Sequence, residues 1–228
     1  MNRPPSSTSR DWAQASRQAG EDCLKLTTYF GERDRSGREL LGDDLFNIYG
    51  AHHLRASVLL RGAEGFGRLH HLHTDRLLTL SEDLPVVSVA VDRRERIEAL
   101  LEPIRQIKRR GLITLERARL FSGELGLVEL PEDLGEAAKL TVYVGRQERV
   151  GRVPVFVAIT DLLHRHGIAG ATVLLGVDGT RGGRRFRAKF FARNAEVPTM
   201  IIAVGAGQQI AKVLPELGGV LREPLITL

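Results

Sequence analysis

Apolar and polar positions along this chain follow two periods in alternation. Residues 24–30 (LKLTTYF) set Leu26, Thr28 and Phe30 against Lys25, Thr27 and Tyr29, the period-two pattern of a strand buried on one face. Leu41, Leu45, Ile48 and Tyr49 then mark one face of a helix. Residues 56–62 (ASVLLRG) read as a second strand. Residues 85–91 (PVVSVAV) read as a third, opening on a proline where no ladder donor is lost. Asp92 with Glu95 makes a capping-box pattern for a helix carrying Ile97, Leu100, Leu101, Ile104 and Ile107. Residues 112–121 (LITLERARLF) are the last strand. The order β-α-β-β-α-β is the ferredoxin-like plan.

The pattern is then used again. LKLTTYFG at 24–31 returns 114 residues later as AKLTVYVG at 138–145. At the same offset Gly37-Arg38 becomes Gly151-Arg152, Leu60-Arg61-Gly62 becomes Leu174-Leu175-Gly176, and Gly65 becomes Gly179. After one deleted residue Leu84-Pro85 returns as Val197-Pro198, and both copies reach LITL, at 112–115 and 225–228. A match held in register this long is a tandem duplication. The expected fold class is therefore α+β, with two tandem ferredoxin-like units over residues 23–121 and 138–228. Residues 1–22 read as a disordered tail and 122–137 as a linker. In the second unit the pattern predicts strands at 138–144, 171–177, 197–204 and 225–228, with helices from about Pro154 and Gly207.

Composition narrows the chemistry only a little. The 228 residues carry a net charge of +5 and a pI near 9.8, which favours anionic partners without choosing one. A single cysteine, Cys23, leaves no intrachain disulfide, and no apolar run approaches the roughly 18 residues of a membrane span. The first 22 residues lack the apolar core of a secretory signal. The expectation is a cytoplasmic protein.

The stretch 56–68 (ASVLLRGAEGFGR) is the candidate site, because a strand ending in glycines beside an arginine lets backbone N–H groups approach an anion. Catalytic patterns are absent: no nucleophile beside a base, no Walker or Rossmann glycines in their strand-to-helix setting, no carboxylate pair at element ends. The expectation is a non-enzyme with no catalytic residues. His52, His53, His70, His71 and His73 invite a metal, but no cysteine or carboxylate stands at ligand spacing, so no metal is expected. Glu64 and Asp178 read as equivalent turn residues accepting local N–H bonds. The loop 179–196 (GTRGGRRFRAKFFARNAE) interleaves five arginines and a lysine with phenylalanines, a pattern open to anionic lipid, an acidic protein or nucleic acid; nucleic acid is the least expected of the three, because the RNP aromatics of RNA-binding ferredoxin-like sheets are missing.

These segments together resemble the PII-like family catalogued as domain of unknown function 190. In the first unit the likeness rests on LTTYFGERDRSGREL, SVLLRGAEGFGR, His73-Thr74 and LSEDLPVVSVAVD; in the second on LTVYVG and AGATVLLGVDG. The resemblance implies a PII-like signalling protein, assembled as a trimer, with a T-loop between its second and third strands. That loop would be residues 69–83 here and would engage a protein partner, often a transporter, through His70, His71, His73 and Arg76. The resemblance also implies an adenine nucleotide at the base of the loop, between subunits. Its contacts would come from Arg61, Gly65, Phe66, Gly67 and Arg68, completed by Arg110, Arg117 and Arg119. Two features depart from PII: Leu69-His70 replace its Gln and Lys, and Lys108-Arg109-Arg110-Gly111 replace its second phosphate loop. The second unit has Thr180-Arg181-Gly182-Gly183 where GFGR would stand. The expected function is a sensor that binds an anionic small molecule and regulates a partner. The alternative is a ligand-free adaptor using the basic loop of the second unit.

Overall fold

The structure, a computed structural model, describes residues 18–66, 72–74, 84–107, 112–123, 125, 128–129, 137–188 and 196–228. Unit 1 runs β1 (Glu21–Gly31), α1 (Leu41–Ala51), β2 (Ala56–Arg61), β3 (Glu64–Phe66), β4 (Leu72–Thr74), β5 (Pro85–Arg93), α2 (Arg94–Ile107) and β6 (Leu112–Ser122). Unit 2 runs β7 (Ala138–Gly145), α3 (Val155–Arg165), β8 (Gly170–Leu175), β9 (Asp178–Arg181), β10 (Arg184–Arg187), β11 (Pro198–Gly205), α4 (Gly207–Val220) and β12 (Leu225–Thr227). It is a mixed α/β architecture with a large antiparallel sheet.

That sheet has ten strands in the order β8-β11-β7-β12-β6-β1-β5-β2-β9-β10. The two units therefore share it, joined where Leu225, Ile226 and Thr227 of β12 pair with Ser122, Phe121 and Leu120 of β6. The sheet also turns back on itself. β8 is the first strand of the order and β9 the ninth, yet only Gly176 and Val177 separate them in the chain. Alternation along the strands feeds three cores. Leu24, Leu26 and Phe30 of β1 meet Leu45, Ile97 and Leu100 of α1 and α2. Leu140, Val142 and Ile201 meet Ile159, Val213 and Leu217 of α3 and α4. The third core contains no helix: Cys23, Val58, Val89 and Val91 of unit 1 pack on Tyr143, Met200 and Leu225 of unit 2. The layers are helices, sheet, sheet, helices.

Two glycines make the turn-back possible. A Cβ on Gly176 would lie 2.3 Å from the Pro198 carbonyl oxygen and 2.8 Å from Val58 Cγ1. On Gly179 it would lie 2.2 Å from the Ser57 carbonyl oxygen and 2.6 Å from Pro198 Cγ. No side chain fits in those gaps. This is also why the expected strand at 171–177 stops at Leu175: the chain bends at Gly176 to leave one sheet edge for the other.

Other boundaries shift for local reasons. The expected tail is shorter, because Glu21 and Asp22 already pair with Leu120 and Arg119, and Gln18–Ala19 pair in parallel with Val128–Glu129 inside the expected linker. The capping box does not form. Asp92 lies in β5, and its buried carboxylate accepts from the Arg55 N–H at 3.0 Å and the Arg93 N–H at 2.8 Å.

A small ion cluster crosses the seam on the helix-free face. Lys25 Nζ and Lys139 Nζ lie 2.9 and 2.7 Å from the same oxygen of Glu116, so one carboxylate of β6 ties β1 to β7. Burial alone would raise Glu116, but the hydrogen bonds from Lys139 and Lys25 outweigh it and hold the carboxyl below 4.5. A depressed folded-state value gives stability that is present above the unfolded value and lost as pH falls through the folded one. Melting temperature should therefore hold steady from neutral pH down to about 4.5 and decline below it. Glu116→Gln should flatten part of that decline, as measured by thermal melts across pH. Gly179→Ala should lower stability by about 3 kcal/mol in denaturant titrations, since the backbone of β2 cannot retreat from the added methyl.

Candidate functional site

The site predicted at the end of β2 begins with a pinned backbone. The Gly62 N–H donates to the Pro85 carbonyl at 2.8 Å, and a Cβ there would stand 3.0 Å from that oxygen. The chain then enters β3, which among the described residues pairs with β4, Gly65 opposite His73 and Phe66 opposite Leu72. Arg61 stands at the exposed base of this hairpin, its Nη2 2.9 Å from Glu32 Oε2. An exposed pair of this kind holds its arginine weakly, by roughly 1 kcal/mol or less, so an anion can compete for the guanidinium. Gly67, Arg68, His70, His71, Arg76 and Arg110 lie outside the described residues, as do Phe190 and Phe191 of the second loop.

The arginines of the last strand do not complete this site within one chain. Arg61 is level with Val86 and so with Phe30, whereas Arg117 and Arg119 are level with Leu24 and Asp22. Six residues along the strands and three strands across amount to about 25 Å. Arg117 and Arg119 sit instead near Asp22, which bonds Arg94 Nε at 2.8 Å and whose carboxyl is lowered first by that bond. The separation follows from strand order: β1 and β5 stand between β6 and β2.

In unit 2 the equivalent region carries contacts the sequence did not reveal. β9 leaves its own unit and pairs with β2, Asp178 opposite Leu59 through Arg181 opposite Ala56. The Val177 N–H extends the ladder to the Leu59 carbonyl at 2.8 Å. Gly182 and Gly183, both at positive φ, then form the two-residue turn into β10. Asp178 is more than a turn residue. It accepts from its neighbouring Gly179 N–H at 2.8 Å, and its buried carboxylate also takes Arg185 Nη2 at 2.6 Å. Arg185 reaches on to Asp43 Oδ1 at 3.0 Å and Asn47 Oδ1 at 2.7 Å in α1, and lies over the Phe46 ring. Arg187 meets Asp43 at 2.7 Å, and Arg181 meets Glu148 at 2.7 Å. Ser57 Oγ and Thr180 Oγ1 share a buried hydrogen bond of 2.9 Å.

Three arginines of the basic loop are thus neutralised within the chain. Where unit 1 offers Arg61 to solvent, unit 2 has placed a carboxylate of its own against an arginine. The one sequence sign of this was Asp43 and Asn47 on the polar face of α1, one helical turn apart. Among the described residues no group of three or more His, Cys, Asp or Glu could hold a metal.

Comparison with known proteins agrees with the repeat. The profile of one family, domain of unknown function 190 (uncharacterized ACR, COG1993), matches residues 23–120 and again 137–228. The chain belongs to that family. It carries the domain twice. Two relatives from Aquifex aeolicus (strain VF5) are each named UPF0166 protein. One is 34% identical over 68 residues, 30% of this chain and 71% of the relative. The other is 36% identical over 63 residues, 28% of this chain and 59% of the relative. Each relative is thus about as long as one DUF190 unit. Among solved structures, a putative glycine cleavage system transcriptional repressor aligns over 91% of this chain and 97% of its own, at 10% identity and a TM-score of 0.23. No helix of the described residues is long and apolar enough to cross a membrane.

The docked hairpin gives a direct test of the second DUF190 unit. Asp178→Asn leaves Arg185 and Arg187 with Asp43 as their one carboxylate among the described residues and should destabilise the chain by about 2–3 kcal/mol. Asp43→Ala should cost a similar amount, and the double variant less than the sum, because both carboxylates hold one guanidinium. Urea unfolding of the three variants checks this.

Proposed function

We propose that the protein is a non-enzymatic, PII-like regulator built of two ferredoxin-like units, of which only the first is a sensor. Its ligand is an anionic small molecule, in this reading an adenine nucleotide, bound at the base of the β3–β4 hairpin. Arg61 supplies the charge there, and Gly65, Phe66, Gly67 and Arg68 supply the turn. Arg110, Arg117 and Arg119 of a neighbouring copy are the arginines available to complete such a site between chains of a homo-oligomer, here taken as a trimer. Ligand then favours one arrangement of residues 69–83, with His70, His71, His73 and Arg76 at the partner surface. This requires the ligand to bind one loop arrangement more tightly than the other. The protein partner is a transporter or another regulated protein in the cytoplasm.

The observation that carries this reading is the contrast between the two hairpins. In unit 2, Asp178 occupies the cationic end of the turn and the hairpin is fixed on β2. In unit 1, the partner of Arg61 among the described residues is the exposed Glu32, and β3 and β4 stand outside the ten-stranded sheet. The contrast also weakens the adaptor reading, because Arg181, Arg185 and Arg187 already have carboxylate partners.

Calorimetric titration with AMP, ADP, ATP and cyclic AMP tests the proposal. At least one should bind, and Arg61→Ala should weaken it about tenfold or more. Absence of heat with all four, in a chain shown to be folded, overturns the nucleotide reading.

A further inference from the structure

Each unit carries a short hairpin between its first strand and its first helix, and the two are built alike. In unit 1 Arg35–Ser36 pairs with Glu39–Leu40, and in unit 2 Arg149–Val150 pairs with Val153–Pro154. Gly37 and Gly151 take the first turn position, at φ of 67° and 60°. Arg35 donates to the Arg38 carbonyl and Arg149 to the Arg152 carbonyl. At the base, the Gly31 N–H donates to Asp34 and the Gly145 N–H to Glu148. The frame is shared.

The surface on that frame is not. By the 114-residue offset Ser36 becomes Val150 and Glu39 becomes Val153, so the pair beside the turn changes from polar to apolar. Glu32 becomes Arg146, and Arg61 becomes Leu175. The Arg61–Glu32 contact of 2.9 Å shows that these last two positions adjoin in unit 1. In unit 2, Leu175 is level with Thr199 and so with Val144, at the end of β7 from which the hairpin departs. Val150, Val153 and Leu175 are 39, 44 and 47% exposed, a patch of apolar side chains where the first unit has charged and polar ones. Its rim is cationic. Among the described residues, Arg146, Arg149, Arg152 and Arg181 stand at this end against Glu148 and Glu196. Both carboxylates lie on Arg181, at 2.7 and 3.5 Å, so they leave the other three arginines uncompensated.

Valines at a turn between arginines match the boundary layer of an anionic bilayer. The apolar tips enter beneath the headgroups, while each arginine keeps its stem there and its guanidinium at the phosphates. Pairing across the turn satisfies backbone groups that would otherwise resist leaving water. A small anion in water would make no use of the valines. We propose that this end of unit 2 is a peripheral membrane contact, which lays the tip Val150–Val153 and Leu175 on a surface rich in anionic phospholipid. The contact is reversible and salt-sensitive, since it rests on a few side chains and on charge. It goes beyond the sensor reading of unit 1, and because no nucleotide takes part, a failed titration leaves it standing.

Co-sedimentation of the full chain with vesicles tests the proposal. Vesicles mixing phosphatidylglycerol with phosphatidylcholine should carry the protein down at low salt, and phosphatidylcholine alone should carry about tenfold less. Salt at about 1 M should weaken the binding, because it screens charges beyond a few ångströms. Val150→Ser with Val153→Glu gives the second hairpin the pair that the first already bears on the same frame. Its melting temperature should hold, and its binding to the anionic vesicles should fall about tenfold or more. Val150→Ser with Val153→Ser keeps the charge and should still lower binding several-fold, about as expected for lost apolar contact. Equal sedimentation of the unaltered chain and both variants moves the binding to another basic surface and overturns the assignment. No sedimentation with either vesicle overturns it as well. Binding to polyglutamate in place of vesicles, lost in the variants, identifies the patch as a dock for an acidic protein and overturns the membrane contact.

Discussion

Four residues of main chain, Asp178–Arg181 laid along β2, hold the architecture in its closed form. Without that ladder β12 and β6 would still join the units edge to edge, but the two helix-free faces would be free to part. The cluster between those faces, from Cys23 and Val91 to Tyr143 and Met200, has no helix to cover it. Its burial depends on the sheet turning back, and the turn depends on Gly176 and Gly179 having no side chain. Backbone pairing supplies direction, the glycines supply proximity, and Asp178 with Arg185 and Asp43 fixes the hairpin once it has arrived. A buried pair of this kind is better evidence for registration than for net stability, because desolvation offsets much of its Coulombic gain.

The parts legible in the sequence were the local ones. Strand and helix positions follow from periodicity, and a second copy of each pattern doubled the signal. The repeated glycines were legible as structural, and the gaps at Gly62, Gly176 and Gly179 give the reason. The seam was not legible. Asp43 and Arg185 are 142 residues apart, and nothing in the spacing of either announces the other. The basic loop illustrates this: read alone, RGGRRFR is a surface for external anions, whereas in the fold three of its four arginines, Arg181, Arg185 and Arg187, find carboxylates on α1, β9 and the loop before α3. The arginines grouped with the nucleotide site lie apart within one chain for a related reason. Arg61 and Arg119 belong to strands that are adjacent in function-based expectation but separated by two strands in the sheet.

Duplication has let the two hairpins diverge along physical lines. In both units the segment after the second strand must leave the sheet at a glycine and reverse. Unit 2 reverses through Gly182-Gly183, and its strands are short, charged and committed to α1. Unit 1 keeps its arginine exposed at the hinge. On the proposed reading, a chain with a single unit would need one loop both to brace a neighbour and to sense a ligand. Here bracing falls to Arg185 and Asp178, which releases the first hairpin from that demand.

The Gly182-Gly183 turn has a consequence for how steeply such a protein could respond. If the first hairpin is the sensor proposed above, bracing by the second leaves one responsive loop for every two domains. In any closed ring of these chains the number of interacting sites equals the number of chains, half the number of domains. Cooperativity is bounded by the number of sites that share a transition. On the proposed reading, a duplicated chain would give up steepness relative to a ring with a loop on every domain, and in exchange each loop would keep a neighbour covalently fixed at its side.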